Sequence, residues 1–313
     1  MPQVSVIIPN YNHAPYLQQR IDSVLNQTYQ DFEVIILDDC STDDSRTIIQ
    51  KYSGHPKISQ IIFNEVNSGG PFNQWKKGVE QAKGKYIWIA ESDDWCELTL
   101  LETLVQALED NPRCVMAYAQ TYTINGDNVI EQQSTHDKLA EYVDGKKYIS
   151  QYLAPNCSIW NSSMLVFKKE SYLNTSEKFL TFKMCGDWLL YIEMAKQGYV
   201  FISGKNLNYF RSHEKDVSSK IYGSGYNYIE ELKILKILKN EGLISEQEFK
   251  AHLLYKYIWV TTFRHRFEQS INKEISESLY NNGSESYKWF LLTVGNFSLV
   301  KSKIRRRLSL IFK

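Results

Sequence analysis

Two pairs of adjacent aspartates carry the clearest chemical signal in this chain of 313 residues: Asp38 with Asp39, and Asp93 with Asp94. Each pair follows a short run of apolar residues of the kind that predicts a buried strand. In an open parallel sheet, ligands bind outside the carboxyl ends of the strands. Two acidic pairs delivered to that edge are expected to converge on one cation or one polar ligand.

Strand-like and helix-like segments alternate in the first half of the chain, and this alternation would bring the acids together. Leu17, Ile21 and Val24 lie on one face of a predicted helix between the first two strands. The alternation predicts an α/β fold with a doubly wound, mostly parallel sheet. The predicted strands in this half cover residues 4–8, 32–37, 58–63 and 86–90.

The middle of the chain is less regular. Residues 98–108 predict a further helix, and residues 115–119 and 163–167 predict two further strands. The polar segment 121–161 between those strands predicts a long loop. Loops of that length inside a compact domain are usually either functional or mobile, and this one would suit recognition of an acceptor.

The last third of the chain predicts a helical appendage. Gly223-Ser224-Gly225 indicates a linker, which leads us to predict one domain over residues 1–222 and a helical C-terminal region over 226–313. Residues 300–313 carry six basic and no acidic residues among apolar ones. A basic amphipathic end predicts contact with an anionic membrane surface, the alternative being a solvated terminus.

Composition excludes several classes of protein. The 36 basic residues balance the 36 acidic ones, so no global charge attracts nucleic acid, and no nucleic-acid partner is predicted. The five cysteines are scattered without a CxxC pair, which favours reduced thiols and a cytoplasmic location. Neither a signal peptide nor an apolar run near the roughly 20 residues of a spanning helix is found. We therefore predict a cytoplasmic protein, peripheral on the inner face of the cell membrane.

Four motifs follow one another along the chain: Val6-Ile7-Ile8-Pro9-Asn10-Tyr11-Asn12, Asp38-Asp39-Cys40-Ser41-Thr42-Asp43, Glu91-Ser92-Asp93-Asp94 and Gly186-Asp187-Trp188. In this order, over residues 3–215, they resemble the inverting family-2 glycosyltransferases of the GT-A fold, which is Rossmann-like. The resemblance implies a metal-dependent enzyme. Such an enzyme would move a sugar from a nucleoside diphosphate donor to a hydroxyl of a cell-surface glycan or lipid-linked saccharide.

The resemblance also implies roles for individual residues. Five residues are expected to bind the donor. Tyr11 and Asp39 would hold the base, and Asp93 would face the ribose. Pro9 and Lys76 are the other two. Asp38 would support the turn. The resemblance further implies a Mg²⁺ or Mn²⁺ ion that bridges to the diphosphate, and its predicted ligands are Asp94, Glu91 and His213.

Asp187 matches the general base of the family. An ordinary aspartate pKa of about 3.9 would leave it ionised and able to take the proton of the acceptor hydroxyl. The residue before it is Gly186, where the family usually has an acid. This departure implies that the acceptor is not held as in the better-known relatives.

Two other functions use similar residues. A sugar-1-phosphate nucleotidyltransferase needs a glycine-rich basic loop after the first strand, and residues 9–13 contain no glycine, lysine or arginine. A non-catalytic sugar-nucleotide binder would have no use for a base such as Asp187. Both alternatives are therefore weaker than the transferase.

Overall fold

The computed structural model describes residues 1–213, 224–280 and 285–297, and the chain divides into two compact units, residues 1–213 and 214–313. The domain boundary predicted at residues 222–226 stays a prediction, because residues 214–223 lie outside the described residues. The basic segment 300–313 also lies outside them. Within the described residues, no helix is long and apolar enough to cross a membrane.

The first unit combines a large sheet with helices. Its helices are α1 (Ala14–Leu25), α2 (Ser45–Gln50), α3 (Pro71–Gln81), α4 (Leu100–Asp110), α5 (Gly145–Tyr148), α6 (Lys169–Leu173) and α7 (Gly186–Ala195). Its strands are β1 (Val4–Asn10), β2 (Phe32–Asp38), β3 (Ile58–Phe63), β4 (Tyr86–Ile89), β5 (Trp95–Cys96), β6 (Cys114–Ile124), β7 (Ile130–Gln133), β8 (Ala140–Asp144), β9 (Leu165–Lys168) and β10 (Tyr199–Arg211). A π-helical turn spans Ile149–Leu153, and 3-10 turns span Ser162–Met164 and Glu177–Thr181.

The strands form one sheet in the order β3-β2-β1-β4-β9-β6-β10-β5, with β7 beside β6 and β8 beside β10. The first four strands in this order are all parallel. The strand β9 runs antiparallel between β4 and β6, and β6 and β10 are again parallel. Every residue of β1 and β2 is buried, as expected for parallel strands covered on both faces. The predicted doubly wound, mostly parallel α/β fold is confirmed.

The register of the parallel strands positions the acids. The last residue of β1, Asn10, pairs with Asp38 at the end of β2, and Ile7 pairs with Ile89 at the end of β4. Because β1 lies between β2 and β4, the segments that follow these three strands emerge side by side. The predicted convergence of the two acidic pairs on one edge therefore has its structural basis in strand order.

The segment 121–161 differs from the sequence-based expectation. We predicted a long loop, but β6 continues to Ile124, and the segment then forms β7, β8, α5 and the π-helical turn. The prediction was wrong because β7 is exposed along its whole length and has no buried apolar face to indicate a strand. Pairing with β6 and β10 stabilises these short strands instead.

The described part of the second unit is helical, which confirms the predicted helical C-terminal region. Its helices are α8 (Tyr226–Asn240), α9 (Glu246–Phe263), α10 (Gln269–Tyr280) and α11 (Glu285–Phe290), and a π-helical turn, Leu291–Gly295, follows α11. A capping box of Ser245 and Glu248 begins α9. Lys256 of α9 forms a buried ion pair with Glu231 of α8, which ties the two helices together.

Candidate active site

The ends of β1 and β2 are joined by a buried hydrogen-bond network. Asn10 donates from Nδ2 to Asp38 Oδ1 at 2.9 Å and to Ser41 Oγ at 3.1 Å. The carboxylate of Asp38 also accepts from the backbone N–H of Ser41 and from Arg46 Nε at 3.2 Å. Asp38 is fully buried, so it supports the two loops rather than reaching solvent. Tyr11 follows this network and is 47% exposed, which leaves its ring open to a ligand.

Asp39 is buried, and the segment between β3 and α3 surrounds its carboxylate. It accepts hydrogen bonds from Asn64 Nδ2 at 2.7 Å and from Gln74 Nε2 at 2.9 Å. Ser68 donates to it twice, from the backbone N–H at 2.9 Å and from Oγ at 2.8 Å. These four bonds fix the orientation of the carboxylate beside the exposed Tyr11 loop. Pro9 lies buried within β1, one residue before that network.

Lys76 lies on α3, and its ammonium group is paired with Glu177 of the 3-10 turn. Glu177 is 68% exposed, and such exposed ion pairs contribute little to stability. A diphosphate that bound this ammonium group would therefore have to displace only the weak ion pair with Glu177. The structure does not place Lys76 among the acidic residues at the strand ends.

Glu91 follows β4 and points towards α3. Its Oε1 accepts from Trp75 Nε1 at 2.8 Å and from Ser162 Oγ at 3.1 Å. Burial of the carboxyl group, together with the neighbouring charges of Asp93 and Asp94, raises the pKa of Glu91 to about 8. At neutral pH and without a bound cation, the group is therefore mostly protonated, a form that binds metal poorly.

Asp94 is almost fully buried inside the first unit. Its Oδ1 accepts from the backbone N–H of Arg211 at 2.9 Å, its Oδ2 accepts from Asn161, and the guanidinium of Arg20 lies 3.8 Å from Oδ2. Burial and the charge of Asp93 raise the pKa of Asp94 to about 7. Its contacts hold the loop after β4 to the end of β10.

Asp93, next to Asp94, faces two histidines. His213 Nε2 lies 3.2 Å from Asp93 Oδ2, and His13 Nε2 lies 3.9 Å from the same oxygen. His13 is held in turn by a 2.8 Å contact between its Nδ1 and Ser92 Oγ. Burial works to raise the pKa of Asp93, but His13 and His213 together hold that pKa below its ordinary value.

His13, Asp93 and His213 form a cluster that could hold a metal ion. One ligand atom from each lies within 4.8 Å of the others, and no other such set occurs in the described part of the chain. Ligand atoms about 2.1 Å from one ion and at right angles to each other lie about 3 Å apart. The distance from His213 Nε2 to Asp93 Oδ2, 3.2 Å, is close to this value, whereas His13 Nε2, at 3.9 Å from the same oxygen, would have to move closer to bind the same ion. His213 was a predicted ligand, whereas His13 was missed. Its only sequence signal is its position directly after the first motif, at the start of α1.

Asp187 lies in the first turn of α7, and its Oδ1 accepts from the backbone N–H of Trp188 at 2.7 Å. Its side chain is half-buried. One turn further along α7, burial raises the pKa of Tyr191 well above 10, and the charges of Asp187 and Glu91 add to this effect. Asp187 thus lies at the start of a helix, with its carboxylate partly open to solvent.

Gly186 packs too closely against its neighbours to carry a side chain. A Cβ at this position would lie 2.5 Å from the carbonyl oxygen of Phe179 and 2.6 Å from Cε2 of Phe72. Contacts that short are not tolerated by backbone atoms. Two aromatic residues from other elements thus occupy the space in which an acid before Asp187 would stand.

We expect Gly186→Ala to lower the free energy of unfolding by about 1 to 3 kcal/mol, because the new methyl group must displace Phe72 and the chain at Phe179. Thermal unfolding would measure this. The control is Gly70→Ala, since a Cβ at Gly70 meets no atom within 4 Å and its backbone is extended. Equal unfolding temperatures for both variants would contradict the packing described for Gly186.

Comparison with known proteins matches residues 5–174, more than half of the chain, to the family described as glycosyl transferase family 2. The chain therefore belongs to glycosyl transferase family 2, which confirms the resemblance of its motifs.

Individual relatives cover this chain to different extents. The putative teichuronic acid biosynthesis glycosyltransferase TuaG of Bacillus subtilis (strain 168) is 41% identical over 93 residues, 30% of this chain and 36% of TuaG. The match thus spans about a third of TuaG. The GalNAc(5)-diNAcBac-PP-undecaprenol beta-1,3-glucosyltransferase of Campylobacter jejuni is 26% identical over 254 residues, 79% of this chain and 78% of that protein.

Solved structures support the same fold. The crystal structure of S. aureus TarS 1-349 in complex with UDP-GlcNAc superposes with a TM-score of 0.68 at 20% identity, and covers 91% of this chain and 82% of that one. The mannosyltransferase PcManGT from Pyrobaculum calidifontis, in complex with GDP-Man and Mn2+, gives a TM-score of 0.53 at 16% identity. At these identities, the likeness supports the fold alone.

Proposed function

We propose that this chain transfers one sugar, with inversion, from a nucleoside diphosphate donor to a hydroxyl of a cell-surface glycan or lipid-linked saccharide. The observation that carries the proposal is the edge formed by the ends of β1, β2 and β4, where His13, Asp39 and Asp93 follow the three strands. His213, which follows β10, joins His13 and Asp93 there. This is the edge of an open sheet at which nucleotides bind.

The base and ribose of the donor are proposed to bind beside Tyr11 and Asp39. Tyr11 offers an exposed ring for stacking, and Asp39 is an acceptor whose orientation four hydrogen bonds fix in advance. Preorganisation of this kind lowers the entropic cost of binding. Pro9 contributes by shaping the strand end, and Lys76 would exchange Glu177 for a phosphate oxygen.

The cation is proposed to lie among His13, Asp93 and His213 rather than at Asp94 or Glu91. Asp94 is committed to Arg211 and Asn161, and Glu91 to Trp75 and Ser162. A bound cation would neutralise negative charge on the departing diphosphate. Two imidazole nitrogens in the set favour Mn²⁺ over Mg²⁺, because Mg²⁺ prefers oxygen ligands and near-ideal octahedral geometry.

Asp187 is proposed as the general base. As the acceptor oxygen attacks the anomeric carbon, its proton passes to the carboxylate of Asp187, and the bond from that carbon to the diphosphate oxygen breaks. Attack from the face opposite the diphosphate inverts the anomeric configuration. Helix α7 orients Asp187 through the hydrogen bond from Trp188, which fixes the carboxylate in one direction before the acceptor binds.

The acceptor class rests on the names of relatives. One of them is named as acting on an undecaprenol-linked saccharide, and another as acting in teichuronic acid biosynthesis. A lipid-linked acceptor would place the enzyme peripherally on the inner face of the cell membrane. The basic segment 300–313, which lies outside the described residues, supports that location by its sequence alone.

A thermal-shift panel of UDP-, GDP- and dTDP-sugars, each with Mn²⁺ or Mg²⁺, tests the proposed donor site. A donor at 100 times its dissociation constant stabilises the folded state by about 2.7 kcal/mol, which corresponds to an increase of about 5 °C in unfolding temperature. We expect one nucleotide class to give this increase, and Mn²⁺ to enhance it more than Mg²⁺. The absence of a shift with every sugar nucleotide and both cations would refute the proposed donor site.

A further inference from the structure

We infer that the second unit carries a contact surface for an anionic membrane on the outward side of the helical segment 285–297. This surface, the apolar outer face, consists of Trp289, Leu292, Val294 and Phe297. Their side chains are 64%, 37%, 42% and 71% exposed, in that order. Exposed aromatic side chains occur singly on many proteins, but four large apolar residues within nine positions of one helical segment form a patch.

The opposite side of the same segment packs against α9. The helix therefore already buries one side in the core of the second unit, and the outer face lies on the other side. Tyr287 and Leu291 are buried, and Gly295 fits so tightly that a Cβ would lie 2.6 Å from the ring of Tyr257. Tyr257 also donates from its hydroxyl to Asn296 Oδ1 at 2.8 Å. The exposed side therefore carries four large apolar residues together with the polar Lys288, Thr293 and Asn296, a mixture that suits the interface between a membrane and water.

Helix α9 also carries exposed aromatic side chains. Tyr255 and Trp259 are 47% and 41% exposed, and the ring of Trp259 lies 4.7 Å from that of Phe263. Tyrosine and tryptophan are enriched where proteins meet the membrane–water interface, because their rings are apolar and their polar atoms reach water.

Charge selects an anionic membrane over a second copy of this chain. Exposed Arg264, His265 and Arg266 directly follow α9. Residues 298–313, which lie outside the described residues, contain six basic and no acidic residues in their sequence. A second copy would bring the same positive charges to the contact and no acidic partner from these segments, so charge gives it no attraction. An anionic lipid surface attracts them while it receives the apolar side chains.

The inference rests on the proposed function only in that a lipid-linked acceptor gives membrane contact a purpose. Vesicle binding is measured without donor or acceptor, and donor binding is measured without vesicles. Failure of one can therefore be distinguished from failure of the other.

The test is co-sedimentation of the full-length chain with phosphatidylglycerol vesicles and with phosphatidylcholine vesicles. We expect preferential binding to phosphatidylglycerol. The double variant Trp289→Ser/Phe297→Ser should lower that binding about tenfold or more, because each side chain loses its apolar burial in the membrane interface. In brominated phosphatidylglycerol, Trp289→Phe should keep binding but lose much of the quenching of tryptophan fluorescence.

The control is the double variant Leu139→Ser/Leu173→Ser, which removes two apolar residues of similar exposure from the first unit. It should bind vesicles like the wild type. Wild-type binding by Trp289→Ser/Phe297→Ser would overturn the inference. A change from oligomer to monomer in sedimentation velocity, with vesicle binding unaltered, would also overturn it and assign the face to contacts between copies.

Discussion

Replacing Asp187 with asparagine is expected to lower the rate of sugar transfer by about 10² to 10⁴, the range that a positioned general base contributes. Asparagine has nearly the same shape and still accepts the hydrogen bond from the backbone of Trp188. It does not take up a proton, so the acceptor hydroxyl must attack without being deprotonated. Donor binding in the thermal-shift assay should be unchanged, because Asp187 is proposed to contact the acceptor and not the donor.

A matched control is available at the other end of α7. Asp144 also accepts backbone hydrogen bonds at a helix start, and the following Gly145 packs against Ala195, the last residue of α7. Asp144→Asn should leave the transfer rate unchanged. If Asp187→Asn retained wild-type turnover, the base would have to be another residue, and the acceptor side of the site would need to be reassigned.

The sheet could be predicted because its signal is local. Residues 4–8 and 32–37 are nearly continuous apolar runs, and a strand buried on both faces requires such a run wherever it lies. The position of Asp38 and Asp39 is therefore set by the end of the strand that they follow. The order of the motifs along the chain then favoured one family.

The partners of the acids could not be predicted in the same way. Asp93 and Asp94 are adjacent in sequence, yet one faces two histidines and the other is buried against Arg211. Which of the two points into the site depends on β10, more than 100 positions away along the chain. The proposed role of His13 could not be predicted for the same reason, because a lone histidine before a helix suggests a ligand only when residue 213 lies beside it.

The buried network around Asp94 explains how that geometry is maintained. Asp94 binds the backbone of Arg211, and the guanidinium of Arg211 donates to the carbonyl oxygen of Asp93 at 2.8 Å. The same guanidinium also reaches Gln19 on α1, the helix that follows His13. Three elements, α1, the loop after β4 and the end of β10, are thereby held together. We infer that Asp94 is a positioning residue for the three proposed ligands.

Separate variants of the two aspartates should therefore behave differently. We expect Asp93→Asn to abolish the Mn²⁺-dependent part of nucleotide binding and to lower transfer at least about 100-fold, because the only carboxylate of the proposed set is lost. The unfolding temperature without ligand should fall less than in Asp94→Asn, since the two histidines that face Asp93 have a neutral form, whereas the guanidinium of Arg20 does not. Titration calorimetry with Mn²⁺ and UDP measures the first effect, and thermal unfolding measures the second.

Asp94→Asn is expected to give the reverse pattern. Above pH 7, where Asp94 is mostly ionised because its pKa is about 7, the substitution removes the negative charge that faces the buried guanidinium of Arg20. An uncompensated buried charge typically costs about 3 to 5 kcal/mol. The protein that remains folded should still bind Mn²⁺ and UDP together, with affinity reduced only as far as the three ligands lose alignment. A stable Asp94→Asn variant without Mn²⁺-dependent binding, alongside an Asp93→Asn variant that keeps it, would assign the cation to Asp94. The histidine pair would then serve to orient Asp93 towards the ribose, the role that the motif comparison gave it.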